Sequence, residues 1–237
     1  MTLCDDCIKG VTHEGTPSGQ WQKIGGVDCY VATPDGDYPK DKVILFLPDA
    51  FGIQLPNNQL LVSDFAANGF KTVGIDYFCG DPVPADVMSP NYSGPPFNRE
   101  TWFANHGPGQ VRPLIDDVVQ ALNEDGVTQF GATGYCFGGR YTFDLAFGNI
   151  IKVSAVSHPS RLTVPEDLEE YLRKSKAPLL INSCTVDSQF PLEAQAKADE
   201  ILGDRQFSSA IQREFLTDVT RIAVRETGNP RKLEGGA

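Results

Sequence analysis

The sequence predicts an α/β protein: a mostly parallel sheet with helices on both faces. Three observations carry the prediction. Short apolar runs alternate along the chain with segments of helical period. Runs such as VILFL (43–47) and APLLINS (177–183) are apolar throughout, with no polar face. No repeat, low-complexity linker or charge block divides the chain. Continuous apolar strands are those covered on both faces, and strand–helix alternation is the pattern of a parallel sheet. The 237 residues fit one such unit with a full core, so residues 1–237 read as a single domain.

Taken in order, residues 21–33 read as an early strand pair turning at Gly25-Gly26, and 43–47 as a buried strand. Residues 57–68 have helical spacing, and 71–75 return to strand. Residues 79–108 are dense in Gly and Pro and read as one long irregular excursion, the wall or lid of a site. Val111, Leu114, Ile115, Val118, Val119 and Leu122 then form the stripe of an amphipathic helix. Strand 129–133 precedes a helix over 138–147, and 152–156 is a further strand. Residues 166–174 form a charged surface helix, 177–183 a buried strand, and 192–202 a helix ended by Gly203. Residues 211–216 read as the last strand, and the tail GNPRKLEGGA is expected to fray.

Composition bounds the partners. A net charge of -11 disfavours nucleic acid and anionic membrane surfaces. No apolar run reaches the length of a membrane span, and residues 1–20 lack the features of a signal peptide. Six cysteines in such a chain read as reduced thiols of a cytoplasmic protein. Cys4 and Cys7 form a C-x-x-C pair with no second pair, which reads as two loose thiols rather than a zinc site.

The chemistry centres on Gly134-Tyr135-Cys136-Phe137-Gly138. A G-x-nucleophile-x-G frame between strand and helix is the nucleophile elbow of the α/β-hydrolase fold, in which the glycines relieve crowding around a strained residue. The helix N-terminus favours thiolate, which predicts a Cys136 thiol of lowered pKa. The Phe137 amide is one expected oxyanion donor, and the Ala50 amide, in the loop Pro48-Asp49-Ala50-Phe51-Gly52, is the other. Asp49 points towards the nucleophile on this reading, although a capping or turn role suits it as well. Asp187, at the C-terminal end of a strand, stands in the chain order expected of a triad acid. A plain turn residue is its alternative.

These residues resemble the dienelactone hydrolase family, in its fungal-type branch with a cysteine nucleophile. The resemblance runs from about residue 13 to residue 230. It rests on HEGTPSG (13–19), LPDAFG (47–52), DYFCGDP (76–82), ATGYCFGGRY (132–141), SHPS (157–160) and TVDSQFP (185–191). It implies a cofactor-free hydrolase of small esters or lactones, often of anionic dienoates, acting as monomer or homodimer. Cys136 falls on the nucleophile, Asp187 on the triad acid, and Asp49 on an acidic residue beside the thiol. The family's histidine lies in an H-G-F-A-V-R-like turn; here Asp218-Val219-Thr220-Arg221-Ile222-Ala223-Val224-Arg225 places Arg221 there. The family's closing helix is expected to be short or missing.

Arginine stays protonated near neutral pH and cannot serve as base. Three readings follow: a substitute base, with His158 of the SHPS turn as candidate; a thiolate made without a base, by the helix N-terminus and Arg221, serving slow hydrolysis or an isomerase- or cyclase-type reaction; and a degenerate pocket that binds ligand or partner without turnover. Tyr77, Trp102 and Arg140 are further pocket candidates, and a surface salt bridge is the commoner fate of Arg140. His13 and His106 are expected in loops distant from any elbow signal, where solvent exposure or hydrogen bonding accounts for them.

Overall fold

The structure is a computed structural model that describes residues 15–87, 89–203 and the short strand at 215–216. The expectations for Cys4, Cys7, His13, Arg221, the closing helix and the C-terminal tail fall outside these residues. Eight strands form one sheet: β1 (Gln20–Ile24), β2 (Val27–Ala32), β3 (Lys42–Leu47), β4 (Lys71–Ile75), β5 (Gln129–Tyr135), β6 (Ile151–Ser157), β7 (Leu179–Cys184) and β8 (Phe215–Leu216). Their spatial order is β1-β2-β4-β3-β5-β6-β7-β8. The β1–β2 and β2–β4 pairs are antiparallel, and every pair from β4 onward is parallel.

The continuous apolar runs predict strands buried on both faces, and the packing shows it. Val43, Leu45 and Leu47 of β3 join one apolar cluster, with Val73 and Ile75 of β4 and the stripe of the long helix α3 (Pro108–Glu124). Phe46, one residue out of phase, joins Tyr30, Ala32 and Tyr135 on the opposite face, under α1 (Pro56–Ala67). This is the period-two alternation of a sheet with helices on both sides. The helix α4 (Phe137–Phe147) packs on β5 and β6, and α5 (Glu166–Lys174) packs on α4. Leu192–Leu202 forms the helix α6.

The excursion at 79–108 is less irregular than its Gly and Pro content predicts. It contains a helix, α2 (Arg99–Asn105), started by the Asn98 side chain, which accepts from the Thr101 amide at 2.9 Å. A single capped helix of about two turns carries too little periodicity to register against a Gly/Pro-rich background. The Trp102 indole fastens this helix to the body by donating to the Asp81 carbonyl at 2.8 Å. Among the described residues no helix is long and apolar enough to cross a membrane.

Candidate active site

Parallel strands end side by side, and the sheet uses that to gather its chemistry. In the ladder Leu47 pairs with Gly134, Tyr135 with Ser157, and Ser157 with Asn182. Asp49, Cys136, His158 and Asp187 each lie just beyond the C-terminal end of one of these four adjacent strands. Open α/β sheets bind ligands at that edge.

Cys136 has φ 46° and ψ -106°, a left-handed conformation that a cysteine adopts only under constraint. Its amide donates to the Ser157 carbonyl at 3.1 Å, and its carbonyl accepts from the amides of Gly139 (3.1 Å) and Ser160 (3.0 Å). The elbow glycines are steric necessities: a Cβ on Gly138 would collide with the Leu47 carbonyl, and one on Gly134 with Thr142 and the Gly138 carbonyl. The turn therefore presses the nucleophile's backbone against the end of β3, which brings the Asp49 loop beside the sulfur.

The expectation of a resting thiolate is not met. Burial pushes the Cys136 thiol up to about 12; the Asp49 charge, and more weakly that of Asp187, adds to the rise. A hydrogen bond to the Ser160 hydroxyl, Sγ to Oγ 3.7 Å, and the Phe137 amide directed at the sulfur oppose it without prevailing. The helix N-terminus is one stabilising term; desolvation and two neighbouring carboxylates outweigh it. The sulfur rests as a thiol.

Asp49 is both the turn residue and the neighbour of the thiol that the sequence left as alternatives. Its Oδ1 accepts from the Phe51 amide at 3.0 Å and from Asn58 Nδ2 at 3.2 Å. Burial nonetheless raises its carboxyl to about 6. Its carbonyl accepts from the Gly52 amide at 3.0 Å. In a trans peptide the Ala50 N–H then points the opposite way. The Tyr77 hydroxyl donates to the Pro48 carbonyl, so Tyr77 braces this loop.

Opposite this loop stand His158 and Asp187. His158 also has positive φ (39°), and its amide is held by the Asn182 carbonyl at 2.8 Å. Burial lowers its imidazole to about 4, with the charge of Asp187 opposing the fall. Asp187 Oδ1 accepts from the amides of Gln189 (2.8 Å) and Phe190 (3.0 Å). Its Oδ2 is buried without a hydrogen-bond partner among the described residues.

Phe137 and Trp102 sit together in an aromatic cluster behind the elbow, their ring centroids 5.8 Å apart. His106 belongs to it too: the expected hydrogen bond is there, through Nδ1 to the Trp102 carbonyl, but the residue is buried, its ring centroid 4.6 Å from that of Trp102, rather than in a distant loop. Arg140 is taken up by Asp144 (2.6 Å) and Asp167 (2.7 Å), which leaves it no free fork for a ligand. Sequence reasoning missed three residues. Ser160 lay inside the SHPS motif, but only the fold shows its hydroxyl at the thiol. Tyr141 ended the ATGYCFGGRY motif without being singled out, and Arg161 lay in no motif.

The residues at 27–213 match the model of the dienelactone hydrolase family. The chain belongs to this family, which places it among the ester and lactone hydrolases. It is 37% identical over 208 residues to dienlactone hydrolase 1 of Gibberella moniliformis, covering 86% of this chain and 76% of that protein. It is 34% identical over 218 residues to the hydrolase pyvD of Aspergillus violaceofuscus, covering 90% and 82%. Among solved structures, a dienelactone hydrolase from Anabaena variabilis superposes with a TM-score of 0.57 at 14% identity, over 87% of this chain and 94% of that one. Est1E from Butyrivibrio proteoclasticus superposes with a TM-score of 0.58 at 14% identity, over 88% and 98%. These two share the fold.

Proposed function

We propose that the chain cleaves small esters or lactones by acyl transfer to the Cys136 sulfur. The observation that carries this is the strained elbow that directs the sulfur and the Phe137 amide at one point, with a carboxylate on each side. As the S–C bond forms, the thiol proton passes to Asp49. A carboxyl raised to about 6 is ionised near neutral pH and is a stronger proton acceptor than an ordinary aspartate. The carbonyl oxygen becomes an oxyanion, held by the amides of Phe137 and Ala50. Collapse breaks the C–O bond, and the departing alkoxide takes the proton back from Asp49. Water then hydrolyses the thioester, with His158, neutral at that pH and set beside Asp187, as the base. The products are the acid, the alcohol and the restored thiol; in a lactone, acid and alcohol stay on one molecule.

The scheme uses protein groups alone. Cys29, Cys79, Cys136 and Cys184, the cysteines among the described residues, are all free, which suits a reducing compartment, and we place the protein in the cytoplasm. The test is the intact mass of the enzyme quenched during turnover of p-nitrophenyl butyrate. An acyl adduct on Cys136, absent from Cys136→Ala, is expected. Turnover that survives Cys136→Ala would refute the assignment.

A further inference from the structure

Buried polar side chains outside the reacting groups fall into two sorts. The Arg161 Nη1 and the Tyr141 hydroxyl have no hydrogen-bond partner among the described residues. Gln195, in the first turn of α6 and only 1% exposed, has its amide engaged at both the nitrogen and the oxygen. Its Nε2 donates to the carbonyls of Cys184 (2.6 Å) and Phe190 (2.9 Å), and its Oε1 accepts from the Ser183 hydroxyl at 3.1 Å. Carbonyls can only accept, so the nitrogen must face these two and the amide has one orientation.

The two carbonyls bound a loop. Cys184 ends β7, Phe190 stands just before α6, and Asp187 lies midway between them. The tip of this loop is not held by burial. Thr185, Val186 and Ser188 are exposed, and within 185–190 only Phe190 is wholly buried. Nor is the carboxylate fastened from its far side, because its Oδ2 has no partner among the described residues. Asp187 is therefore oriented through Oδ1, by the amides of Gln189 and Phe190. The Phe190 that donates to this carboxylate is the residue whose carbonyl Gln195 holds. A carboxylate with one oxygen buried and unpaired keeps its place only where the surrounding backbone dictates it. We propose that Gln195 is a positioning residue: it pins both ends of the Asp187 loop and so sets the carboxylate beside His158 for thioester hydrolysis. The inference rests on the acyl-transfer reading above.

The test is the split between kcat and KM with p-nitrophenyl butyrate. Gln195→Met keeps the side-chain volume and removes both donors. Acylation, which uses Asp49, should change by no more than about twofold, so kcat/KM holds. Deacylation should slow, so that kcat and KM fall together by roughly tenfold and a burst of p-nitrophenol appears. Gln195→Glu keeps the outline and at most one donor. It should show the same split on a smaller scale, and it decides the matter where the methionine variant does not fold. Beside Asp187→Asn, Gln195→Met should lower kcat by no more than about a further twofold, because both changes act on one group. Equal losses in kcat and kcat/KM, or a full further loss beside Asp187→Asn, would overturn the positioning role and leave Gln195 a fastener of the fold. If no ester acylates Cys136, the acyl-transfer reading fails by itself, and the histidine ring signals in NMR spectra decide the positioning. The Asp187 charge supports protonation of the His158 imidazole, which burial lowers to about 4. Its protonated fraction at pH 4.5, assigned with His158→Asn, should drop in Gln195→Met towards that of Asp187→Asn. An unchanged titration would overturn the inference.

Discussion

The two sides of the thiol are built alike and perturbed in opposite directions. On the β3 side, burial raises the Asp49 carboxyl to about 6. On the β6 side, burial lowers the His158 imidazole to about 4. Both shifts favour the neutral form, as does the rise of the thiol between them to about 12. The common cause is removal from water, which penalises charge of either sign. The difference lies in what each group is at pH 7. The carboxyl there is a carboxylate held against its environment and ready to take a proton; the imidazole is already neutral and a weaker base than usual. Asp49 is accordingly assigned the harder proton transfer, out of a thiol that resists ionisation, and His158 the second half of the reaction.

Separate substitutions sharpen that division most. Asp49→Asn keeps an oxygen for Phe51 and Asn58 but cannot accept the thiol proton. It is expected to lower kcat/KM by about 10²- to 10⁴-fold, the usual worth of a positioned base. The acid limb of the wild-type kcat/KM profile, expected near the carboxyl's value of about 6, should vanish with it. His158→Asn, in which asparagine tolerates the positive φ, should instead leave acylation and slow thioester hydrolysis. Stopped-flow release of p-nitrophenol would then show a burst, with kcat down about 10²-fold, the lower end of a positioned base's worth. A burst in Asp49→Asn and none in His158→Asn would reverse the roles.

Stability should separate the same pair, with opposite signs. Asp49 binds its proton more tightly folded (about 6) than at its ordinary 3.8. The stabilisation is thus present below pH 4 and lost as pH rises through 6. His158 binds its proton less tightly folded (about 4) than at its ordinary 6.5, so the stabilisation is present above 6.5 and lost as pH falls through 4. Each shift corresponds to up to roughly 3 kcal/mol. Urea unfolding at pH 8 should therefore find Asp49→Asn more stable than wild type, with the gain gone by pH 4. His158→Asn should lose less stability than wild type between pH 6.5 and 4. Parallel curves for all three proteins would mean that neither group is desolvated as described.

Much of this was legible in the sequence, for definite reasons. Strands such as VILFL announce themselves because a strand covered on both faces has no polar alternation to confuse with a helix. The elbow was legible because Gly134 and Gly138 answer to collisions that any side chain would cause. The state of the thiol was not. It depends on summing burial with two carboxylates, one 87 residues upstream and one 51 downstream in the chain, and no local pattern records that sum. Arg161 and Tyr141 escaped for the same reason: an unpaired donor is a property of its surroundings. The α2 helix escaped because Asn98 is one capping residue among many polar ones.

The smallest effect concerns Ser160, which leans towards neither side. Its amide ties the 158–161 turn to the Cys136 carbonyl, and its hydroxyl lies 3.7 Å from the sulfur. The backbone tie survives Ser160→Ala, so the elbow should keep its geometry. What is lost is one weak sulfur–hydroxyl hydrogen bond, the larger of the two contacts that lower the thiol's pKa. Such a bond contributes about 1 kcal/mol. Alkylation of Cys136 by iodoacetamide should therefore slow by no more than about tenfold across pH 7 to 10, with Tm within a few degrees of wild type. Abolished alkylation would show that the Ser160 hydroxyl is indispensable to the thiolate and that the groups on the two sides do not suffice to release the thiol proton.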